Sequence, residues 1–476
     1  MFDAIVIGGG VIGGTLLREL TKCGYRACLL EKENDICMGQ SKANSGIVHA
    51  GFDAKEGTLK ARFNVAGNRM MEVYARELGV KFKRNGSLVV AFSKEDIAAL
   101  HELLERGRKN GVEGLEIINA SRLRELEPNI SDDALAALYA PTGGIVCPYT
   151  LTIAAVGNAM DNGAELFTDF IINHAEKGAD GFCITAEDGR KIEGKLVVNC
   201  AGLGAGEVAS VFGDSSVKVK GRRGEYILLD RESGGFVSST LFFTPTEKGK
   251  GILVSPTADG NIILGPTSEP VEDGQPLTSA EGLEEVTDKA QKMCKKVPLS
   301  GVITSFSGVR AYTDRGDFIV EESKTVKNLF HCAGIESPGL TSAPAIAEYV
   351  VKEYVAKKLG KRSNDSFNGT RKPYDFFKEL SDGGKTALIK ENPAYGRIVC
   401  RCEEISEGEI VRAIHENPPA QSVDAVKRRT RAGMGRCQGG FCQPSVAEIL
   451  ARELKIPFEE VTKSGEGSYL VTGVTK

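Results

Sequence analysis

The sequence has no tryptophan and only five histidines. Imidazole, the side chain best suited to moving protons near neutral pH, is therefore scarce, and its candidates are few. A basic excess is also missing: 60 Lys and Arg stand against 64 Asp and Glu, for a formal net charge of −4. Proteins that hold nucleic acid through its phosphates carry the opposite balance, which argues against nucleic acid as the main partner. No apolar run approaches the ~18 residues that a membrane helix needs. Met1 leads straight into an apolar segment without a basic or hydrophobic leader, so no signal peptide is expected. Twelve cysteines in a chain of 476 residues without such a leader point to a reducing, cytoplasmic setting rather than to disulfides. Any membrane association is expected through a partner, without direct insertion.

The length suits two or three domains, and the 56 glycines gather in motifs. The first motif is "DAIVIGGGVIGGTLLRELTKCGYRACLLEKE". Residues 4–7 form a continuous apolar run, as in a parallel strand covered on both faces. Gly8, Gly10 and Gly13 then give G-x-G-x-x-G ahead of a helix with Leu16, Leu17 and Leu20 on its buried side. Gly8 permits the tight turn, Gly10 lets a pyrophosphate approach the backbone, and Gly13 lets helix and strand pack closely. The helix N-terminus offers free N–H groups to phosphate oxygens. A second strand, residues 27–30, ends on Glu31, where a ribose-binding carboxylate belongs. The whole unit predicts dinucleotide binding.

Three further stretches narrow the dinucleotide. They are "QSKANSGIVHAGF" at 40–52, "KLVVNCAGLGAGEVA" at 195–209 and "NLFHCAGIESPGLTSAPAIAEYVVKEYV" at 328–355. Small and polar residues lead into a buried-looking segment in the first, and an apolar strand runs into glycines in the other two. In this order they resemble the flavin-dependent D-amino acid oxidase and glycerol-3-phosphate dehydrogenase superfamily. The resemblance implies tightly bound FAD. It places Lys32, Ser41, Ser45 and Gly46 along the pyrophosphate and the isoalloxazine, Ala201 and Gly202 at a second contact, and Gly334, Gly339, Leu340 and Thr341 at a third. The helix that follows would aim its positive end at the ring and stabilise negative charge on the reduced flavin. Alternating strands at 86–92, 224–230 and 260–267 suit a mixed sheet over the flavin, with the charged helical region 94–126 capping it.

A flavin takes a hydride from a carbon bearing OH or NH, so the protein must hold the substrate and accept a proton. His49, in "GIVHAG", is the first candidate for base or flavin contact. His331 reads as structural, and His101 and His174 as surface residues. In "FSGVRAYTDRGDFIV" (306–320), Arg310 is similar to the superfamily's substrate-anion arginine, whose planar fork binds carboxylate or phosphate. Arg223 and Tyr226 in "GRRGEYILL" are candidates for the same pocket, and Arg315 is expected to pair with Asp314 or Asp317. Within the superfamily, "NSGIVHAG", "GIVCPYTLT", "GIESPGLTSAPAIA" and the tail resemble flavin subunits of anaerobic glycerol-3-phosphate dehydrogenases most. That implies oxidation of a small anionic alcohol, sn-glycerol 3-phosphate first. L-2-hydroxyglutarate, an amino acid or an opine is the alternative substrate. A non-catalytic electron-transfer subunit and a peroxide-forming oxidase are further alternatives.

The tail carries Cys400 and Cys402, then 34 residues, then Cys437 and Cys442. Four thiolates converging from two loops call for a metal, and zinc sites more often space their paired cysteines by two to four residues. C-x-C with a wide, glycine-rich C-x4-C looks instead like the bacterioferritin-associated-ferredoxin type of [2Fe–2S] module, in which four cysteines suffice. The remaining eight cysteines look singly scattered and structural. Just before the second pair, "KRRTRAGMGR" (427–436) carries five basic residues. Such a run is ordinarily a solvated face, though here it could raise the cluster potential or dock an acidic partner. A [2Fe–2S] cluster accepts one electron at a time, so the tail reads as an outlet from the flavin to an electron-accepting partner subunit.

The expected architecture is α/β, with a Rossmann-like FAD-binding domain interleaved with a mixed-sheet substrate domain, over residues 1–365. FAD-binding parts are expected at about 1–80, 145–215 and 325–365, and substrate parts at about 81–144 and 216–324. A linker at 366–395, a small helical [2Fe–2S] domain at 396–454 and a tail at 455–476 complete it.

Overall fold

The computed structural model describes residues 1–245, 251–272 and 274–473. The apolar strand Phe2–Ile7 is buried along its length and lies inside an eight-stranded sheet. It runs parallel to Ala27–Leu30 on one side and to Lys191–Asn199 on the other, and Leu329–Ala333 continues the parallel order beyond. The helix Val11–Lys22 buries Leu16, Leu17 and Leu20 and packs against Pro148–Asp161 and Gly339–Val350. Three stretches far apart in sequence thus end their strands at one edge of one sheet. In an open parallel sheet, that carboxyl edge is where ligands bind.

A nine-stranded mixed sheet forms the second layer. It takes in Ser87–Ala91, Lys220–Leu229 and Ile262–Gly265, the three alternating segments expected for it. Lys220–Leu229 pairs antiparallel with Val302–Tyr312 over nearly its whole length. The region 94–126 is not helical throughout. Helices Lys94–Lys109 and Ala120–Leu126 flank an edge strand, Glu116–Asn119, paired with Ala136–Ala140. The second layer closes on the first at Gly308, where a Cβ would overlap the Ala43 carbonyl, so only glycine permits the approach.

The C-terminal unit opens with a short hairpin, Ile398–Cys400 with Ile405–Ser406, followed by helices Glu407–His415, Val423–Thr430 and Gln443–Leu454. Ser406 and Glu409 form a capping box at the first helix, and Pro444 stands in the first turn of the last. Ile405, Ile410, Val426, Val446 and Leu450 make its core. The polar stretch expected to link the domains lies against both of them. Arg18 Nη2 donates to the Gly369 carbonyl at 3.0 Å, and Tyr374 Oη donates to the Asn417 carbonyl at 2.9 Å. Nor is the centre of the basic run a solvated face, although Arg436 at its end is exposed. Arg428, Arg429 and Arg431 are 5%, 1% and 5% exposed, because Asp35, Asp259 and Glu403 meet them at the domain boundary.

Candidate active site and cluster-binding loops

A cavity of about 730 Å³ opens at the carboxyl edge of the parallel strands and extends beneath the second sheet. Gly8 and Gly10 form one wall, and a Cβ at Gly13 would overlap the Gly8 carbonyl, so the helix starts as close to the strand as backbone allows. The helix N-cap, Gly10, places no side chain over the free N–H groups. Glu31 accepts the Gly9 N–H at 2.6 Å and the Glu33 N–H at 3.0 Å, and burial pushes its carboxyl up from the usual range. Ser41 Oγ accepts the Val11 N–H at 2.9 Å, tying the loop after Glu31 to the helix start. Asn199 accepts the Ala201 N–H at 3.2 Å and holds the second glycine turn beside the first.

Lys32, Ser41, Ser45, Gly46, Ala201, Gly202, Gly339 and Leu340 line this cavity together with Gly8, Gly10, Glu31, His49, Tyr226 and Arg310. Gly13, Gly334, Thr341 and Arg223 do not line it. Gly334 sits at φ +62° against Thr313, and Thr341 lies buried behind the wall, its hydroxyl accepting the His49 N–H at 2.9 Å. Arg223 turns away and pairs with Glu225 at 3.2 Å and Glu269 at 3.0 Å. Alternation along the strand is the reason: Arg222, Gly224 and Tyr226 share the cavity face, and Arg223 and Glu225 the other. Arg315 pairs with Glu321 at 2.8 Å rather than with either aspartate. Asp314 meets Lys220, and Asp317 accepts the Leu59 and Lys60 N–H groups at the start of a helix.

His49 Nε2 lies 3.1 Å from Ser337 Oγ at the cavity wall, and the His49 carbonyl accepts from Asn64 and Asn68 at 3.1 and 3.0 Å. His331 is buried 3.1 Å from Asp214, and burial lowers it further from protonation. His101 and His174 are exposed. Arg310 donates to the Thr267 carbonyl at 2.9 Å and, among the described residues, pairs with no carboxylate. Sequence reasoning missed Arg222, which lines the cavity with its guanidinium 4.4 Å from the Tyr312 ring. It is the register partner of Arg310 across the two antiparallel strands. It also missed Gln40, which accepts the Ala311 N–H at 3.0 Å and donates to the Ile335 carbonyl at 3.1 Å, pinning the flavin-side loop to both layers. The Lys60–Glu336 pair, 2.9 Å apart at the rim, was missed as well.

The four tail cysteines stand as two pairs. Cys402 and Cys437 have their sulfurs 3.8 Å apart, and Cys400 is hydrogen-bonded to Cys442. A hydrogen bond from Cys442, with N–H groups of Gly433 and Glu403, lowers the Cys400 thiol to about 6. The Phe441 and Gly439 N–H groups lower Cys437. A Cβ at Gly435 would overlap the Cys402 side chain. One sulfur of each pair, Cys400 and Cys437, is thus favoured as thiolate by backbone donors, while its partner, Cys442 or Cys402, is pushed the other way by the neighbouring sulfur. Four cysteines in a glycine-built cradle are the donor set an iron–sulfur cluster requires. Of the other cysteines, Cys200 and Cys332 are not scattered singly: they meet in a hydrogen bond where strands Lys191–Asn199 and Leu329–Ala333 end side by side.

A large cavity at a glycine-rich strand edge, with an acid at the end of the second strand and a helix start whose N-cap carries no side chain, fits FAD. Comparison with known proteins agrees. The FAD dependent oxidoreductase family matches residues 3–353, and a BFD-like [2Fe-2S] binding domain matches residues 398–452. A glycerol 3-phosphate dehydrogenase of Caloramator mitchellensis is 48% identical over 100% of this chain and 99% of its own. A glycerol 3-phosphate oxidase of Mycoplasma genitalium is 29% identical over 76% of this chain and 96% of its own. The FAD-bound structure of L-alpha-glycerophosphate oxidase from Mycoplasma pneumoniae superposes with a TM-score of 0.74 at 26% identity, covering 78% of this chain and 98% of that one. No helix among the described residues is long and apolar enough to cross a membrane. FAD and a [2Fe–2S] cluster are the two cofactors, and the chain belongs to the FAD-dependent oxidoreductase family.

Proposed function

We propose that the protein oxidises sn-glycerol 3-phosphate to dihydroxyacetone phosphate and delivers the electrons, through its cluster, to a one-electron-accepting partner subunit. One observation carries the substrate: Arg222 and Arg310 face each other directly across two strands at the cavity and, among the described residues, neither is paired with a carboxylate. Like charges directly opposite in a sheet are destabilising. A compact dianion between them removes the conflict, and a phosphate monoester puts both charges on one group. A monocarboxylate brings one charge, and 2-hydroxyglutarate separates its two. The name of the 48% identical relative points the same way.

FAD supplies the acceptor for the hydride leaving C2, and the cluster supplies one-electron steps. The rest falls to side chains. Arg310, held by the Thr267 carbonyl, and Arg222, stacked on Tyr312, grip the phosphate in fork geometry. His49 Nε2 takes the C2 hydroxyl proton, with Ser337 as the hydroxyl that aims the ring. The uncapped start of helix Gly339–Val350 places positive partial charge at the cavity, where negative charge collects on reduction. Tyr226, buried and stacked on Phe306 at 4.9 Å, closes the pocket to water on the strand side.

The test is anaerobic addition of sn-glycerol 3-phosphate, 2-hydroxyglutarate, lactate and amino acids to protein replete in both cofactors, following the oxidised-flavin band. Rapid bleaching by glycerol 3-phosphate, lost in Arg310→Ala, is the expected result. Bleaching only by a carboxylate would overturn the substrate, and bleaching by none would overturn catalysis.

A further inference from the structure

Three arginines from one turn of the C-terminal domain are buried against the oxidoreductase part, and one of them also frames a cluster ligand. The fork of Arg429 meets both oxygens of Asp35 at 2.9 Å, and Arg428 donates to Asp35 Oδ2 at 2.6 Å. Asp35 stands in the same loop as Gln40 and Ser41 of the flavin cavity. Arg431 caps helix Val423–Thr430 in the left-handed conformation, φ 71°. Its guanidinium donates to Glu403 Oε2 at 2.8 Å, Asp259 Oδ2 at 2.7 Å, the Tyr149 hydroxyl at 2.9 Å and Asn261 Oδ1 at 3.2 Å. Glu403 belongs to the cluster hairpin. The other three belong to the oxidoreductase part.

Two details make this more than a domain contact. The backbone N–H groups that reach the Cys400 sulfur come from Glu403 and Gly433. Arg431 bonds the side chain of the first and lies two residues before the second, so it spans both donor segments. The Tyr149 hydroxyl, in turn, touches Met434 Sδ at 3.3 Å. Tyr149 follows strand Gly144–Val146, which pairs with Ile47–Val48, the strand that leads into His49. A continuous bonded and packed path therefore runs from the flavin-side strand to the cluster loop.

We propose that Arg431 is the positioning residue that fixes the cluster against the oxidoreductase part, so that electrons cross within one standing domain arrangement and not by a swing of the C-terminal domain. The inference rests on the reading that the two cofactors exchange electrons. Each crossing moves one electron: the flavin loses it and one cluster iron passes from ferric to ferrous. A one-electron acceptor outside the chain must then reoxidise that iron before the second electron crosses. Lifting the domain away would part Arg431 from the Asp259 carboxylate and the buried Glu403 carboxylate from Arg231, 2.6 Å away across the boundary, the costly way to open ion pairs.

The test uses full-length protein with both cofactors, comparing the parent with Arg431→Lys and Tyr149→Phe. The flavin is reduced by a light flash with a sacrificial donor, so no substrate enters, and the reduced cluster is followed by EPR. The parent is expected to transfer at a rate independent of added sucrose. A lysine ammonium cannot reach all four acceptors. In Arg431→Lys the EPR spectrum and midpoint potential should therefore shift. Transfer should also slow by about 2- to 100-fold, the range of couplings within one network, and become viscosity-dependent. Should that variant lose its cluster, Tyr149→Phe, which leaves every charge in place, must still slow transfer by about twofold or more. A parent rate that falls with viscosity, or variants with parental spectrum, potential and rate, would overturn the proposal. No cluster reduction in the parent would instead sink the electron-exchange reading. Dithionite-reduced spectra and potentials test the part played by Arg431 independently of it.

Discussion

Replacing Arg222 by methionine removes one of two like charges that meet across the strand pair while keeping an unbranched side chain over Tyr312. Two unit charges ~5 Å apart repel by about 0.8 to 3.3 kcal/mol for effective dielectric constants between ~80 and ~20. Arg222 is only half-buried, so the lower end applies. Against this relief stands the loss of the cation–π contact with Tyr312, about 0.5–1 kcal/mol. The two nearly cancel, so the substrate-free protein should unfold within about 1 kcal/mol of the parent. Substrate tells a different story. A hydrogen bond to a charged group contributes about 1.5–3 kcal/mol, so kcat/KM for glycerol 3-phosphate should fall about 10- to 150-fold. Because Arg310 shares the phosphate, the double Arg222/Arg310 variant should lose less than the product of the single losses. The assay is anaerobic steady-state turnover with an artificial acceptor, beside urea unfolding without substrate. A fall in kcat/KM of less than about twofold, or a large loss of stability without substrate, would refute the paired-arginine phosphate site.

Ser337→Ala removes the hydroxyl 3.1 Å from His49 Nε2 and should lower kcat several-fold with little change in KM, read from anaerobic initial rates. Serine at Cys402 or Cys437 should strip iron and sulfide from the purified protein while leaving the flavin spectrum intact, because the two sites lie in separate domains. Asp35→Asn should cost about 3–5 kcal/mol at pH 7, since it leaves buried arginines short of their counter-charge. Burial pushes the Asp35 carboxyl up, but Arg429 and Arg428 outweigh it and hold the group below its usual range. A carboxyl depressed in the folded state stabilises above its unfolded value of about 3.9 and loses that contribution as pH falls through the folded value. The gap between parent and Asp35→Asn in urea unfolding should therefore stay constant from pH 7 to about 5 and close only below about 4; a gap that closes near pH 6 would contradict the assignment.

What could be read in advance followed from local rules. The buried strand Phe2–Ile7, the glycine turn and Glu31 lie within one supersecondary unit, and hydrophobic runs and glycines mark them without any knowledge of the rest. The cysteine pairs were legible because few structures other than a cluster bring two such pairs together. Strand parity was legible too, but unused: Tyr226 fixes which face of its strand is inward, and Arg222, not Arg223, shares that face. Other features lie beyond any local rule. Asp35 and Arg429 are 394 residues apart, so a basic run that pairs with it looks like ordinary solvated surface until the domains are placed together. Lys60 and Glu336, separated by 276 residues, are of the same kind. Arg315 had two aspartates close by in sequence, yet turned to Glu321, because Asp317 was needed by the N–H groups of Leu59 and Lys60.

The central claim is that electrons taken from glycerol 3-phosphate reach the cluster within this one chain. Anaerobic mixing of the oxidised holoprotein with sn-glycerol 3-phosphate, freeze-quenched through the flavin bleaching and examined by EPR, tests it most directly. The account predicts that the reduced-cluster signal rises as the flavin band falls, and that Arg310→Ala abolishes both. A flavin fully bleached by glycerol 3-phosphate beside a cluster that stays oxidised would contradict it.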